Sequence, residues 1–132
     1  MATPNLIEAA VPVTTGNDSI VIIDNFQSIR GGRSLLTTGY APEVIKAGHV
    51  IIQETATKEY KPMPLATNDT VYGTLPTGHV YVGILINTIL TKKPFAGIMV
   101  RGTVNTAATP FAMTSILTAV KAALPLIDFR AD

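Results

Sequence analysis

The apolar positions of this chain fall into short runs separated by turn residues, and most runs have the length and composition of strands. Val50-Ile51-Ile52 follows the turn Ala47-Gly48, and the stretch His49 to Glu54 predicts a strand. Lys58-Glu59-Tyr60-Lys61 alternates charged and aromatic residues before Pro62 and Pro64, which predicts a short exposed strand stopped by prolines. Val71-Tyr72 is a further brief candidate. The longest apolar run, His79 to Leu90, follows the turn Pro76-Thr77-Gly78. Gly83 interrupts it, and a glycine inside a strand marks a bulge or a close backbone approach. After the turn Lys92-Lys93-Pro94, Phe95 to Arg101 predicts the next strand, ended by Gly102, with Val104 as a candidate continuation of the edge.

The period changes once. Ile116, Leu117, Val120 and Leu124 fall on one face of a helix, predicted over 115–124. Thr114 or Ser115 is the candidate N-cap, and Pro125 stops the helix by disfavouring helical geometry at Leu124. The opposite face carries Thr118, Lys121 and Ala122, which is little charge for a fully solvated helix. These three are candidate contacts with a symmetry mate. The alternative is a short helix whose small residues tolerate water.

The first part of the chain reads differently. Two polar stretches, Thr14 to Ser19 and Arg30 to Ser34, bracket a single β-branched run, Ile20-Val21-Ile22-Ile23, followed by Phe26. A lone strand is unstable in water, so it must pair with the body of the domain or with another chain. Gly31-Gly32 supplies a joint after it. Residues 1–38 are therefore expected to form an extended N-terminal arm with one strand, and residues 39–132 a β-rich domain. Ile20, Val21, Ile22, Ile23, Phe26, Arg30 and Arg33 are the candidate partner-binding residues of the arm, in the manner of strand addition to a partner's sheet. The expected fold is mainly β with one C-terminal-proximal helix (α+β), its body a small β-barrel or β-tulip.

Composition sharpens this reading. Charged residues make up 14% of the 132 residues, against roughly 25% in typical soluble domains. Threonine replaces them, giving a neutral polar surface suited to packing against other proteins, although threonine also simply favours strands. The net charge is +1 and no basic run occurs along the chain, which argues against nucleic acid. No apolar stretch approaches the roughly 20 residues of a membrane helix. Met1-Ala2-Thr3-Pro4-Asn5 lacks the basic and apolar regions of a signal peptide, so synthesis in a cytoplasm is expected. The absence of cysteine removes disulfides, thiolate catalysis and cysteine metal sites.

Reactive groups are sparse. His49 and His79 each follow a glycine at the start of an apolar run and lack neighbouring ligands, so they read as strand-start histidines with turn hydrogen bonds. The acids are scattered, and no serine lies in a Gly-x-Ser-x-Gly elbow. Arg30-Gly31-Gly32-Arg33-Ser34 lacks the spacing of a phosphate loop. No catalysis, cofactor or metal is expected.

One ordered series remains. Ala47-Gly48-His49-Val50-Ile51 is followed by Val82-Gly83-Ile84-Leu85, by Val100-Arg101-Gly102, by the helical Leu117-Thr118-Ala119-Val120-Lys121-Ala122-Ala123-Leu124, and by Leu126-Ile127-Asp128-Phe129-Arg130. This series, from Ala47 to Arg130, resembles the lambda-type head decoration proteins of tailed bacteriophages. The resemblance implies a small β domain with one helix that forms a homotrimer at local three-fold positions on the outer capsid surface. It implies an N-terminal arm that pairs with the major capsid protein, and a structural, virion-stabilising role after synthesis in the host cytoplasm. Nucleic acid and membrane are not implied partners. The N-terminus departs from the family pattern by being longer, which also fits the base of a head fibre or contact with other head auxiliary proteins. The alternative from the residues alone is a β-barrel module for a peptide or sugar, with Tyr60, Tyr72 and Tyr81 lining a shallow site. The other reading of those tyrosines is strand packing with the hydroxyls at the surface.

Overall fold

The runs read as strands assemble into one six-stranded sheet and three two-stranded ribbons, described over residues 13–131 in a computed structural model. In chain order the elements are α1 (Asp18–Val21), β1 (Ile22–Ser28), β2 (Arg33–Ser34), β3 (Val44–Ile45), β4 (Val50–Glu54), β5 (Tyr60–Pro62) and β6 (Leu65–Ala66). They continue with β7 (Val71–Tyr72), β8 (His79–Leu85), β9 (Ile89–Leu90), β10 (Phe95–Ala96), β11 (Ile98–Asn105), α2 (Leu117–Ala123) and β12 (Ile127–Arg130). The main sheet runs β1-β11-β8-β4-β5, with β12 parallel to β11. The ribbons are β2–β10, β3–β9 and β6–β7. The fold is α+β and mainly β.

The expected barrel or tulip closure does not occur. The sheet stays open, because β1 and β5 end it without pairing to each other. Its central strands are instead buried on both faces. Val50, Ile52, Ile84 and Met99 face one cluster with Ile116, Val120, Leu124 and Phe129, while Ile51, Leu85 and Ile98 face another with Leu35, Ile45 and Ala96. Neighbouring residues thus alternate between two cores, and the strands read as continuous apolar runs.

Two predicted boundaries shift for identifiable reasons. The run from His79 to Leu90 splits after Leu85 because Asp18 seizes Thr88. Its carboxylate accepts from the Thr88 amide at 2.9 Å and from the Thr88 hydroxyl at 2.7 Å, and β9 then leaves to pair with β3. β11 does not end at Gly102 but continues to Asn105, because β1 and β12 flank its second half.

The helix is shorter than predicted. Neither Thr114 nor Ser115 caps it: the N-cap position is Ile116, with no side-chain cap. The Met113 carbonyl instead accepts from the amides of Ile116 at 3.0 Å and Leu117 at 2.7 Å, closing a turn before α2. Leu124, just before Pro125, has left the helical region with φ −121° and ψ 67°. Seven residues of isolated helix are marginal in water. α2 is held by Ile116, Val120 and Leu124, all buried against the sheet.

The N-terminal expectation needs the largest correction. Residues 1–12 of the expected arm lie outside the described residues. Beyond them, Ile20 and Val21 belong to α1, not to a strand, and Val21 is buried in the main core at 1% exposure. The strand starts at Ile22, runs to Ser28 and pairs antiparallel with β11 of the same chain. Residue 38 is not a boundary either, since Leu35 is buried against Ile45 and Ile51. The predicted joint at Gly31-Gly32 is a turn, with the Gly32 amide donating to the Ile29 carbonyl at 3.1 Å.

Candidate docking surface

β1 is a sheet edge, with β11 on one side and no strand on the other among the described residues. Six of its seven residues are exposed. Phe26 is 70% exposed and Ile23 41%, a large apolar display on a strand whose outer backbone groups lack ladder partners. Its register against β11 shifts between Ile22 and Asp24, between Asn25 and Gln27, and between Gln27 and Ser28. Such irregularities twist an edge and restrict which strands can pair with it.

Phe26 also faces a shallow depression shared with Arg101, Gly102 and Thr103 of β11, with Asp128 of β12, and with Leu126. Leu126 is 61% exposed. Asp128 lies 3.4 Å from Arg130, and both side chains are more than half exposed. Two apolar side chains rimmed by charges of both signs have the layout of an interface core with a polar rim. Burying Phe26 and Leu126 against a partner would contribute about 1.5–3 kcal/mol each before ordering costs.

The other predicted arm residues divide. Ile20 is half exposed and Ile22 half-buried, while Val21 belongs to the core. Arg30 is exposed. Arg33 serves the local turn: its Nη1 donates to the Arg30 carbonyl at 3.2 Å and the Gly32 carbonyl at 2.7 Å, and the guanidinium lies 5.7 Å from the Tyr60 ring centre. On α2, Thr118, Lys121 and Ala122 are all exposed together with Ala119 and Ala123, and Lys121 is the one charge on that face.

The three tyrosines of the alternative reading do not line one site. Tyr60 lies under Arg33, and Tyr81 is half-buried. Tyr72 is in the core, its hydroxyl accepting the Val50 amide at 3.2 Å. A different tyrosine, Tyr40, lines a cleft of about 280 Å³ together with Leu36, Ile52, Leu65, Asp69 and His79. Lys61 is on its wall, but its Nζ lies 3.4 Å from Glu54 and 3.2 Å from His79 Nε2, so these polar groups already engage one another. The cleft is at the small end for a ligand site, where roughly 300–1,000 Å³ is usual.

The histidines part company. His79 has the expected turn contact, Nδ1 to the Thr77 carbonyl at 3.1 Å. His49 is fully buried, a position its apolar followers Val50 to Ile52 hinted at and its preceding glycine obscured. The rings of Tyr40, Tyr72 and Phe111 meet it edge-on with centroids 5.5, 5.2 and 5.8 Å away. Its Nε2–H donates to the Met63 carbonyl at 2.9 Å, while Nδ1 has no partner among the described residues. Burial pushes the ring pKa down to about 4, outweighing the Met63 hydrogen bond. Among the described residues no three acidic or histidine side chains converge as metal ligands.

Comparison with known protein families, curated proteins and solved structures returns no match to this chain.

Proposed function

We propose that this chain is a structural virion protein, without catalytic activity, that decorates and cements a phage capsid by docking β1 on the major capsid protein. The single observation that carries the reading is β1 itself, an edge strand with six exposed residues, an outer side unpaired among the described residues and an exposed Phe26. Strand addition to such an edge supplies main-chain hydrogen bonds, and side-chain pockets supply specificity. The resemblance of Ala47 to Arg130 to lambda-type decoration proteins supports the same role. Trimerisation at local three-fold positions, with the α2 face carrying Thr118, Lys121 and Ala122 among its contacts, would multiply modest single-site affinity into firm attachment.

The test uses Ile23→Lys combined with Phe26→Lys. Both side chains are exposed, so the variant should melt as the wild type does. Charged residues on an edge block strand addition. In co-sedimentation with expanded capsids of the cognate phage, wild type should pellet with the capsids and the variant should stay in the supernatant. Equal binding by the two proteins would refute docking through β1.

A further inference from the structure

The cations of this chain are scattered in sequence and gathered in space. The ribbon β2–β10 pairs Ser34 with Phe95 and Arg33 with Ala96, and the Leu35 amide donates to the Pro94 carbonyl at 2.9 Å. This places Arg30 and Arg33, on the β2 side, along the same ribbon as Lys92 and Lys93, on the β10 side. Lys58 joins them, lining one depression with Arg33, Leu36 and Tyr60, where the Leu36 amide donates to the Tyr60 carbonyl at 2.8 Å. Half of the chain's ten Lys and Arg residues therefore lie along or beside this ribbon. All five are exposed, and none forms an ion pair among the described residues.

Three acids lie close by. Glu59 lines the depression with Lys58, the Glu54 carbonyl accepts the Lys58 amide at 2.9 Å, and the Glu43 carbonyl accepts the Thr91 amide at 2.9 Å. The Glu54 carboxylate is engaged by Lys61 at 3.4 Å, so the five cations face two unengaged acids on a chain whose net charge is only +1. Within the cluster stands Phe95, at 74% the most exposed large apolar side chain among the described residues. Arg33, tied to two backbone carbonyls and to Tyr60, stiffens the turn that bears the cluster.

We propose that the β2–β10 ribbon is a docking surface for an extended acidic segment of a partner protein. Carboxylates of that segment pair with Arg30, Lys58, Lys92 and Lys93, and an apolar side chain packs on Phe95. An exposed aromatic ring flanked by unpaired cations is complementary to a segment that mixes acids with apolar residues. A peptide with spaced carboxylates avoids Glu59, whereas a continuous line of phosphates crossing the depression would meet it. This surface is distinct from the outer edge of β1, and its test involves no capsid, so either reading can fail without the other.

The probe is a fluorescein-labelled peptide of Glu and Ala with a central Leu, titrated with the full chain and followed by anisotropy. Binding is expected at low salt and should weaken as salt screens the exposed charges. Lys92→Glu combined with Lys93→Glu should weaken it about tenfold or more. Phe95→Ser should also weaken it, and Lys46→Glu, away from the ribbon, should not. The altered side chains are exposed, and matching melting curves confirm that the variants fold. Absence of binding, equal binding by the ribbon variants, or tighter binding to oligothymidylate or to phosphatidylserine vesicles would overturn the proposal.

Discussion

His49 shows how much a single buried ring can set the conditions under which this protein is stable. In the unfolded chain the ring titrates near its ordinary 6.5, and in the folded core near 4. As pH falls through that window the unfolded chain takes up a proton that the folded core refuses. Stability that is fully present above pH 6.5 is therefore lost progressively down to about pH 4, by about 3 kcal/mol in total. Glu54, held below its usual 4.5 by hydrogen bonds from Thr57 and Lys61, adds acid sensitivity only from that point downward, and its exposure to solvent screens the effect. At the alkaline end, burial holds the Tyr40 and Tyr72 phenols protonated far above their ordinary 10. Their ionisation in the unfolded chain should lower stability above about pH 10. The urea midpoint should therefore be highest between about pH 6.5 and 10. His49→Gln keeps a donor for Met63 and does not titrate, so it should flatten the curve between pH 6.5 and 4.5. An unchanged slope in that variant, or an NMR titration of the wild-type ring near 6.5, would remove His49 as the cause.

At the scale of elements, what the sequence revealed followed the range of the forces involved. Strand runs with two buried faces declared themselves through unbroken β-branched and apolar stretches, as in Val50 to Ile52 and Ile98 to Val100. Gly83 was legible for the same local reason. The register of β4 against β8 slips there, with Ile51 opposite Gly83 and Ile52 opposite Tyr81, and a side chain at Gly83 would reach Ile98 Cγ2 and the Met99 carbonyl at 2.5 Å. α1 was not legible. Ile20 and Val21 favour strand by propensity, and their helical turn is tied down by the bond from Asp18 to Thr88, a partner distant in sequence. The basic cluster on β2–β10 escaped for a similar reason, because ribbon pairing joins Arg33 to residues some sixty positions away. Only one side of the candidate docking strand could be read in advance: its apolar content was visible, its partner β11 was not. Gly102 lies at the junction. A β-carbon there would collide with the Asp24 carbonyl oxygen of β1 and with Met99 Sδ, so β1 pairs with β11 only because residue 102 has no side chain. Gly102→Ala should cost about 1–3 kcal/mol through overpacking. Hydrogen exchange should show β1 amides losing protection before those of β8. Uniform loss across the sheet, or none, would contradict this role.

For the whole molecule, the central question is whether the N-terminal quarter can be separated from the rest. A free arm could be removed and leave a folded body. The structure ties residues 17–35 into both cores. Val21 is buried among the residues of one and Leu35 among those of the other, while β1 covers β11 along its length. Asp18 fixes the Thr88 turn from the same segment, and Gly48 accommodates the Val21 side chain where a β-carbon would clash with it. Deleting residues 1–33 would leave a cavity at Val21, expose the outer side of β11 and free the Thr88 amide. Each loss is of the kind that costs one to several kcal/mol, in a molecule whose net stability is of order 5–15 kcal/mol. The truncated chain should lose its cooperative thermal transition and bind a hydrophobic dye, whereas Ile23→Lys with Phe26→Lys should keep the transition. Loss of capsid binding by the truncated chain would then report unfolding and say nothing about docking, which is why the edge substitutions are the cleaner experiment. A truncated protein that melts cooperatively near the wild-type temperature would show that the segment is dispensable after all, and would return it to the role of a detachable arm.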